Sequence, residues 1–192
     1  MTIDRPIRFF LFLVLVAQAS AARDTEEKSV TGLRDALVAL APSVDRAEAD
    51  TMSVTAHAAA RDLVREYHMV SLPSLHNFFI HIGLRQRGFC FDWSRDIGAR
   101  LKALKLKTLT LHWGAAFPGT ERENNCLVIT ARGQPFQQGI ILDGWRRAGR
   151  RLWWSQVGDD TKYEWDEDMA ETAWLQDARP IAGKPAAGNV RR

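Results

Sequence analysis

The chain has 192 residues and a formal net charge of +3 at pH 7, from 26 basic and 23 acidic residues. Proteins that bind nucleic acids usually concentrate basic residues on one face, so this near balance argues against a nucleic-acid partner. Nearly half of the residues are hydrophobic (46%), which is enough for a domain of this length to bury a core.

Residues 1–21 have the pattern of a signal peptide. Arg5 and Arg8 precede an apolar run from Phe9 to Ala17, and Ala19-Ser20-Ala21 places small residues before the expected cut. The run is shorter than the roughly 20 residues that cross a bilayer as a helix. We therefore predict a periplasmic or secreted protein with no stable membrane span after signal cleavage. The alternative is an uncleaved N-terminal anchor.

Helical patterns fill the first part of the remaining chain. Residues 22–32 are mostly charged and are predicted to be a flexible lead-in. Apolar residues then recur at helical spacing in four segments separated by Pro42, Pro73 and Gly88. The last segment runs from Cys90 to Leu104.

Strand patterns follow Lys107. Four short runs rich in β-branched or aromatic residues are separated by turns that contain Gly or Pro. These runs are Thr108–Trp113, Leu127–Ala131, Gly139–Leu142 and Leu152–Val157. The order of elements predicts a single α+β domain over residues 33–174, with N-terminal helices followed by an antiparallel sheet. Residues 175–192 are rich in Pro, Gly, Ala and Arg and are predicted to be a disordered tail.

Two residues stand where catalytic groups are often presented. Cys90 follows Gly88 at the predicted start of a helix, where the helix dipole lowers a thiol pKa. Asp143 ends an apolar strand, where a carboxylate can orient an imidazole. A buried structural cysteine and an ordinary turn aspartate before Gly144 are the alternatives.

The segment from Arg87 to Trp145 resembles the transglutaminase-like branch of the papain-type cysteine enzymes. That family has Gly-x-Cys opening a helix, then a strand, a strand that begins with His, and a strand that ends in Asp. Gly88-Phe89-Cys90 and Asp143 match the first and last elements. The resemblance implies a papain/transglutaminase-like core, a Cys90 nucleophile that acts on amide bonds, and no cofactor. The chain is also similar to a group of uncharacterised bacterial exported proteins.

The residue at the position of the family's catalytic base departs from this pattern. Asn124 stands where the family places His, and an amide cannot act as a general base near neutral pH. His112, on the first predicted strand, is the proposed substitute, and His76 beside Asn77 is a second candidate. We find no close-spaced Cys or His pair that is typical of a metal site.

Two functions fit these observations. The first is a cysteine hydrolase or acyltransferase in which Cys90 attacks a peptide or cell-wall substrate, and Asp143 orients His112. The second is an inactive binding or scaffolding domain in which Trp113, Trp145 and Trp153 line a groove for peptide or glycan. A disulfide between Cys90 and Cys126 is a further alternative that would silence the nucleophile.

Overall fold

A computed structural model describes residues 24–177. The predicted signal peptide and residues 178–192 of the predicted tail lie outside this range. The described residues form five helices and one five-stranded antiparallel sheet, so the fold class is α+β, as the sequence predicts. The helices are α1 (24–38), α2 (Arg46–Glu66), α3 (Pro73–His81), α4 (Cys90–Lys102) and α5 (Met169–Gln176). The strands are β1 (Leu109–Ala116), β2 (Asn124–Ala131), β3 (Ile140–Asp143), β4 (Trp153–Gln156) and β5 (Asp166–Glu167).

The sheet has the strand order β4-β3-β2-β1-β5. Its two faces are covered differently. Side chains of α1, α2 and α4 cover one face and form the larger core with Leu111, Trp113, Leu127 and Ile129. A smaller apolar cluster on the other face includes Cys126, Val128 and Ile141. Ala116 of β1 belongs to it too, and segments outside the strands supply Phe136, Val157 and Trp165.

The carboxylate of Glu48 joins α2 to the first strand. Its two oxygens accept hydrogen bonds from the backbone N–H groups of Lys107, Thr108 and Leu109, at 2.7 to 2.9 Å. Asp45 caps the same helix by accepting a hydrogen bond from the Glu48 N–H. The first turn of α2 therefore supplies partners for backbone groups that begin the sheet.

The prediction of a flexible lead-in over residues 22–32 is wrong for its described part, because α1 already includes residues 24–32. Ser29 lies 3.0 Å from His57 Nε2 and accepts a hydrogen bond from Trp154 Nε1. Leu33 and Leu37, one and two turns further along, are fully buried. These tertiary contacts stabilise a helix that its charged composition did not predict.

The predicted start of the tail at residue 175 is also wrong. Leu175 lies in α5 and is 2% exposed, and Gln176 donates a hydrogen bond to the Leu111 carbonyl. Short length explains why the sequence missed this end of the molecule: α5 has eight residues, and β5 has only Asp166 and Glu167.

Candidate active site

Cys90 is the first residue of α4, as predicted. Gly88 precedes it with a φ of +125°, and a Cβ at that position would lie 2.4 Å from His76 Nε2. Glycine is therefore required for both conformation and space. Asp92 accepts hydrogen bonds from the Gly88 and Phe89 N–H groups. These contacts fix the turn that presents Cys90 at the helix start.

The polar neighbours of the Cys90 thiol are a carbonyl and an amide. Its Sγ lies 3.7 Å from the Glu123 carbonyl oxygen and 3.8 Å from Asn125 Nδ2. Burial raises the pKa of Cys90, and the charge of Asp143 adds to this shift. Hydrogen bonds from the side chain and backbone N–H of Asn125 and from the Phe91 backbone N–H oppose it only in part. The expectation of a lowered thiol pKa at this helix start is therefore wrong, because loss of solvent outweighs the helix terminus.

Asn125 was missed by the sequence analysis. Its Oδ1 accepts a hydrogen bond from Trp113 Nε1 at 2.7 Å, and its Nδ2 donates to Glu123 Oε1 at 3.0 Å. Both ends of the amide are thus held beside Cys90 by β1 and by the turn before β2. An amide in this position cannot remove the thiol proton.

The resemblance puts Asn124 at the position of the family's catalytic His, but the contact to Cys90 is made by Asn125. Successive side chains of a strand point to opposite faces, so Asn124 shares a face with Cys126 rather than with Asn125. Asn124 is 2% exposed, and neither of its side-chain polar atoms has a hydrogen-bond partner within the described range.

His112 lies on the sheet face opposite α4. Its neighbours along β1, Leu111 and Trp113, pack in the core beneath the helices, whereas the His112 ring contacts Phe136 on the other face. His112 Nδ1 donates to Glu167 at 2.7 Å, and Nε2 lies 2.9 Å from the Thr130 hydroxyl. Both ring nitrogens already have partners, so the structure does not bring His112 and Cys90 together.

Asp143 ends β3 as predicted, but its partner is a guanidinium. Arg146 donates to Asp143 through its backbone N–H at 2.8 Å and through Nε at 3.1 Å. The same guanidinium binds both carboxylate oxygens of Asp160, and Trp165 Nε1 donates to Asp160 as well. Burial raises the pKa of Asp143, and the charge and hydrogen bonds of Arg146 oppose this shift. The carboxylate thus belongs to a buried ion-pair network.

The remaining candidates have structural contacts. His76 is fully buried, and its Nε2 donates to the Arg87 carbonyl at 2.9 Å. Asn77 accepts a hydrogen bond from Trp145 Nε1. The predicted tryptophan groove is also wrong for Trp113, which is fully buried beneath the helices.

Cys90 and Cys126 are both free thiols. Cys126 is fully buried in the apolar cluster on the face opposite α4, whereas Cys90 is partly exposed on the α4 side. The two thiols lie on different sides of β2, so the alternative of a disulfide between them is wrong.

No protein-family model, curated protein or solved structure matches this chain. Among residues 24–177, no helix has the combination of length and apolar composition that would cross a membrane. Within the same range, no group of three His, Cys, Asp or Glu side chains is placed to hold a metal ion.

Proposed function

We propose that this protein is an exported, non-catalytic binding or scaffolding domain with a transglutaminase-like arrangement around Cys90. The observation that carries the proposal is the environment of the Cys90 thiol. Its polar neighbours are the Glu123 carbonyl and the Asn125 amide, and neither accepts a proton from a thiol near neutral pH.

Cysteine catalysis needs a thiolate, which a neighbouring imidazole usually maintains. Cys90 has its pKa raised by burial, and the best histidine candidate from the sequence is bound to Glu167 and Thr130 on the other face of the sheet. These contacts therefore favour a neutral Cys90 thiol that donates a hydrogen bond to the Glu123 carbonyl.

The ion pair of Asp143 supports the same proposal. A catalytic carboxylate of this kind accepts a hydrogen bond from the imidazole that it orients. Here Arg146 occupies Asp143 and also bridges to Asp160, and its guanidinium stacks on Trp153 at 3.6 Å. Asp143 then serves to hold the segment after β3. As its ligand we propose a peptide or a cell-wall glycan, following the resemblance.

The test measures iodoacetamide modification of Cys90 at neutral pH in four chains: wild type, His112→Ala, Asn124→His and Asn125→His. We expect equally slow modification in wild type and His112→Ala. An imidazole at position 125 lies beside the thiol and should raise the rate, whereas one at position 124 points to the other face and should leave it unchanged. Melting temperatures check that all four chains are folded.

A matched assay asks whether Cys90 supports turnover. Wild type and Cys90→Ser are compared for hydrolysis of peptide amides and of cell-wall peptides. Equal, background rates are expected. Hydrolysis that Cys90→Ser abolishes, or a sharp loss of thiol reactivity in His112→Ala, would overturn the proposal in favour of the hydrolase.

A further inference from the structure

Helix α3 exposes a stripe of large apolar side chains. Leu75, Phe78 and Ile82 lie at helical spacing with 41%, 53% and 51% exposure, and Leu72 and Leu84 extend the stripe at its two ends with 59% and 61%. We call these five residues the α3 stripe. Among residues 24–177, the three other exposed large apolar residues are Val54, Phe117 and Met169, which lie in three separate elements or turns.

The α3 stripe does not contribute to the core. His76 is the only fully buried residue of α3, and it anchors the helix through its hydrogen bond to Arg87. Asn77 adds the hydrogen bond from Trp145. The opposite side of the helix therefore holds it in place, while the stripe faces solvent. Contiguous exposed apolar surface of this kind marks an interaction site.

A basic loop lies next to the start of α3. Residues 146–151 include four arginines, and Arg150 donates a hydrogen bond to the Ser71 carbonyl, directly before the stripe. A surface cavity of about 640 Å³ lies between the loop and the helix start, and its lining includes Arg147, Arg150, Arg151 and Leu72. Glu26 and Arg61 also line it, and these two side chains form an ion pair with each other. Besides the Glu26–Arg61 pair, these three arginines thus line a cavity that Leu72 of the stripe borders.

The net charge of this surface is positive, because the acidic Glu26 in the cavity is paired with Arg61. Residues 69–91 and 144–158 contain no Asp or Glu. Arg146 is paired with Asp143 and Asp160, but within residues 24–177 no ion pair is found for Arg147, Arg150 or Arg151. Their charges are therefore available to an external anion, although the whole chain has a net charge of only +3.

We propose that the α3 stripe and the arginines of residues 147–151 form a docking surface for an anionic phospholipid membrane. Large apolar side chains on a short helix beside arginines, with no acidic residue among them, are typical of elements that lie in the membrane interface. The stripe enters the boundary between headgroups and acyl chains, and the arginines bind headgroup phosphates in the cavity. This inference goes beyond the proposed function and does not depend on Cys90.

The experiment uses protein recovered from the exported fraction, with its N-terminus identified by mass spectrometry. Sedimentation measures its binding to vesicles of phosphatidylcholine alone and of phosphatidylcholine mixed with phosphatidylglycerol. We expect stronger binding to the anionic vesicles, and a decrease with added salt. Replacing Arg147, Arg150 and Arg151 with Gln should weaken binding to anionic vesicles by roughly 10². The pair Phe78→Ser and Leu84→Ser should weaken it at least about tenfold.

Matched controls separate this surface from general charge and hydrophobicity. A triple Gln variant at Lys105, Lys107 and Lys162 removes the same charge from exposed positions elsewhere, and Met169→Ser removes an exposed apolar side chain. Both should bind vesicles as wild type does. If the double variant of Phe78 and Leu84 does not fold, Leu84→Ser alone tests the apolar contact, because Leu84 is 61% exposed.

Three results would overturn the inference. One is vesicle binding that survives in both surface variants. Another is equal loss in the control variants. The last is an absence of vesicle binding together with evidence for another occupant. If poly-glutamate binds through the arginines, the occupant would be an acidic polypeptide. If the stripe variants abolish self-association in sedimentation equilibrium, the occupant would be a second copy of this chain. Inorganic phosphate should not release the wild-type protein from vesicles, because it replaces only the headgroup contact.

Discussion

The consecutive helices α3 and α4 have similar apolar patterns, but the apolar side chains of α4 are buried and those of α3 are exposed. Trp93, Ile97 and Leu101 of α4 are at most 1% exposed, whereas the α3 stripe residues Phe78 and Ile82 are more than half exposed. A helical period therefore indicates that a face is apolar, but it does not indicate whether the same chain covers that face. In α4 the apolar face stabilises the fold, and in α3 it remains available to a partner.

Contacts along α4 hold it against its neighbours on both sides. Gly98 has no side chain, and a Cβ there would lie 2.8 Å from Leu175 Cδ2, so glycine allows α4 to approach α5 closely. On its other side, Asp96 accepts hydrogen bonds from the Tyr67 hydroxyl at 2.6 Å and from Arg87 at 2.9 Å. By contrast, His76 and Asn77 anchor α3 through single hydrogen bonds.

The largest expected effect is that of Trp93→Ala. This fully buried side chain packs edge-on against Tyr67 at a centroid distance of 5.2 Å. Its removal should lower the free energy of unfolding by about 3 to 5 kcal/mol, because it leaves a cavity that the sheet cannot fill. Urea denaturation followed by circular dichroism measures this change.

Phe78→Ala on α3 is the matched control. Since its ring is 53% exposed, the free energy of unfolding should change by no more than about 0.5 kcal/mol. Similar losses in the two variants would show that α3 is packed like α4, and the stripe would then belong to the core.

A smaller effect is expected at Glu48, which joins the helical layer to β1. Burial opposes ionisation of Glu48, but hydrogen bonds from Lys107, Thr108 and Leu109 outweigh it and lower its pKa below the ordinary value of 4.5. A carboxyl with a lowered folded-state pKa stabilises the fold above its unfolded pKa, and this contribution is lost as pH falls through the folded value. Glu48→Gln should therefore cost about 1 to 3 kcal/mol at neutral pH.

The difference between Glu48→Gln and wild type should narrow below pH 4.5, in urea titrations at several pH values. Glu121→Gln, at an exposed turn position, is the control and should have no measurable effect. A penalty for Glu48→Gln that is constant down to the lowest pH would mean that the charge of Glu48 does not stabilise β1.

Periodicity and turn residues were sufficient to predict the α+β class and most of the helices and strands. The fourth helix was predicted from Cys90 and begins there, and the third strand was predicted to end at Asp143 and does so. The part of α1 that was missed, residues 24–32, was not predictable, because its stability depends on distant partners such as His57 and Trp154. Local composition does not indicate such tertiary contacts.

The site was less predictable, for a reason that lies in β2. All eight residues of this strand are buried, so no alternation of polar and apolar residues indicates which face each side chain takes. An offset of one residue moves a side chain to the other face, and this separates Asn125, beside Cys90, from Asn124. The ion-pair network of Asp143 was not predictable either. Arg146 is only three residues from Asp143, but the second partner of Arg146, Asp160, is distant in sequence.

The most direct test of the account is the pH dependence of Cys90 alkylation in the wild-type chain. Cys126 is fully buried and should stay unmodified in the folded protein, so the rate reports Cys90 alone. Since burial raises the pKa of Cys90, the rate should still increase through pH 9, the ordinary value for a thiol. A rate that is already at its plateau at neutral pH would reveal a thiolate held by a base, and it would contradict the conclusion that this site is not catalytic.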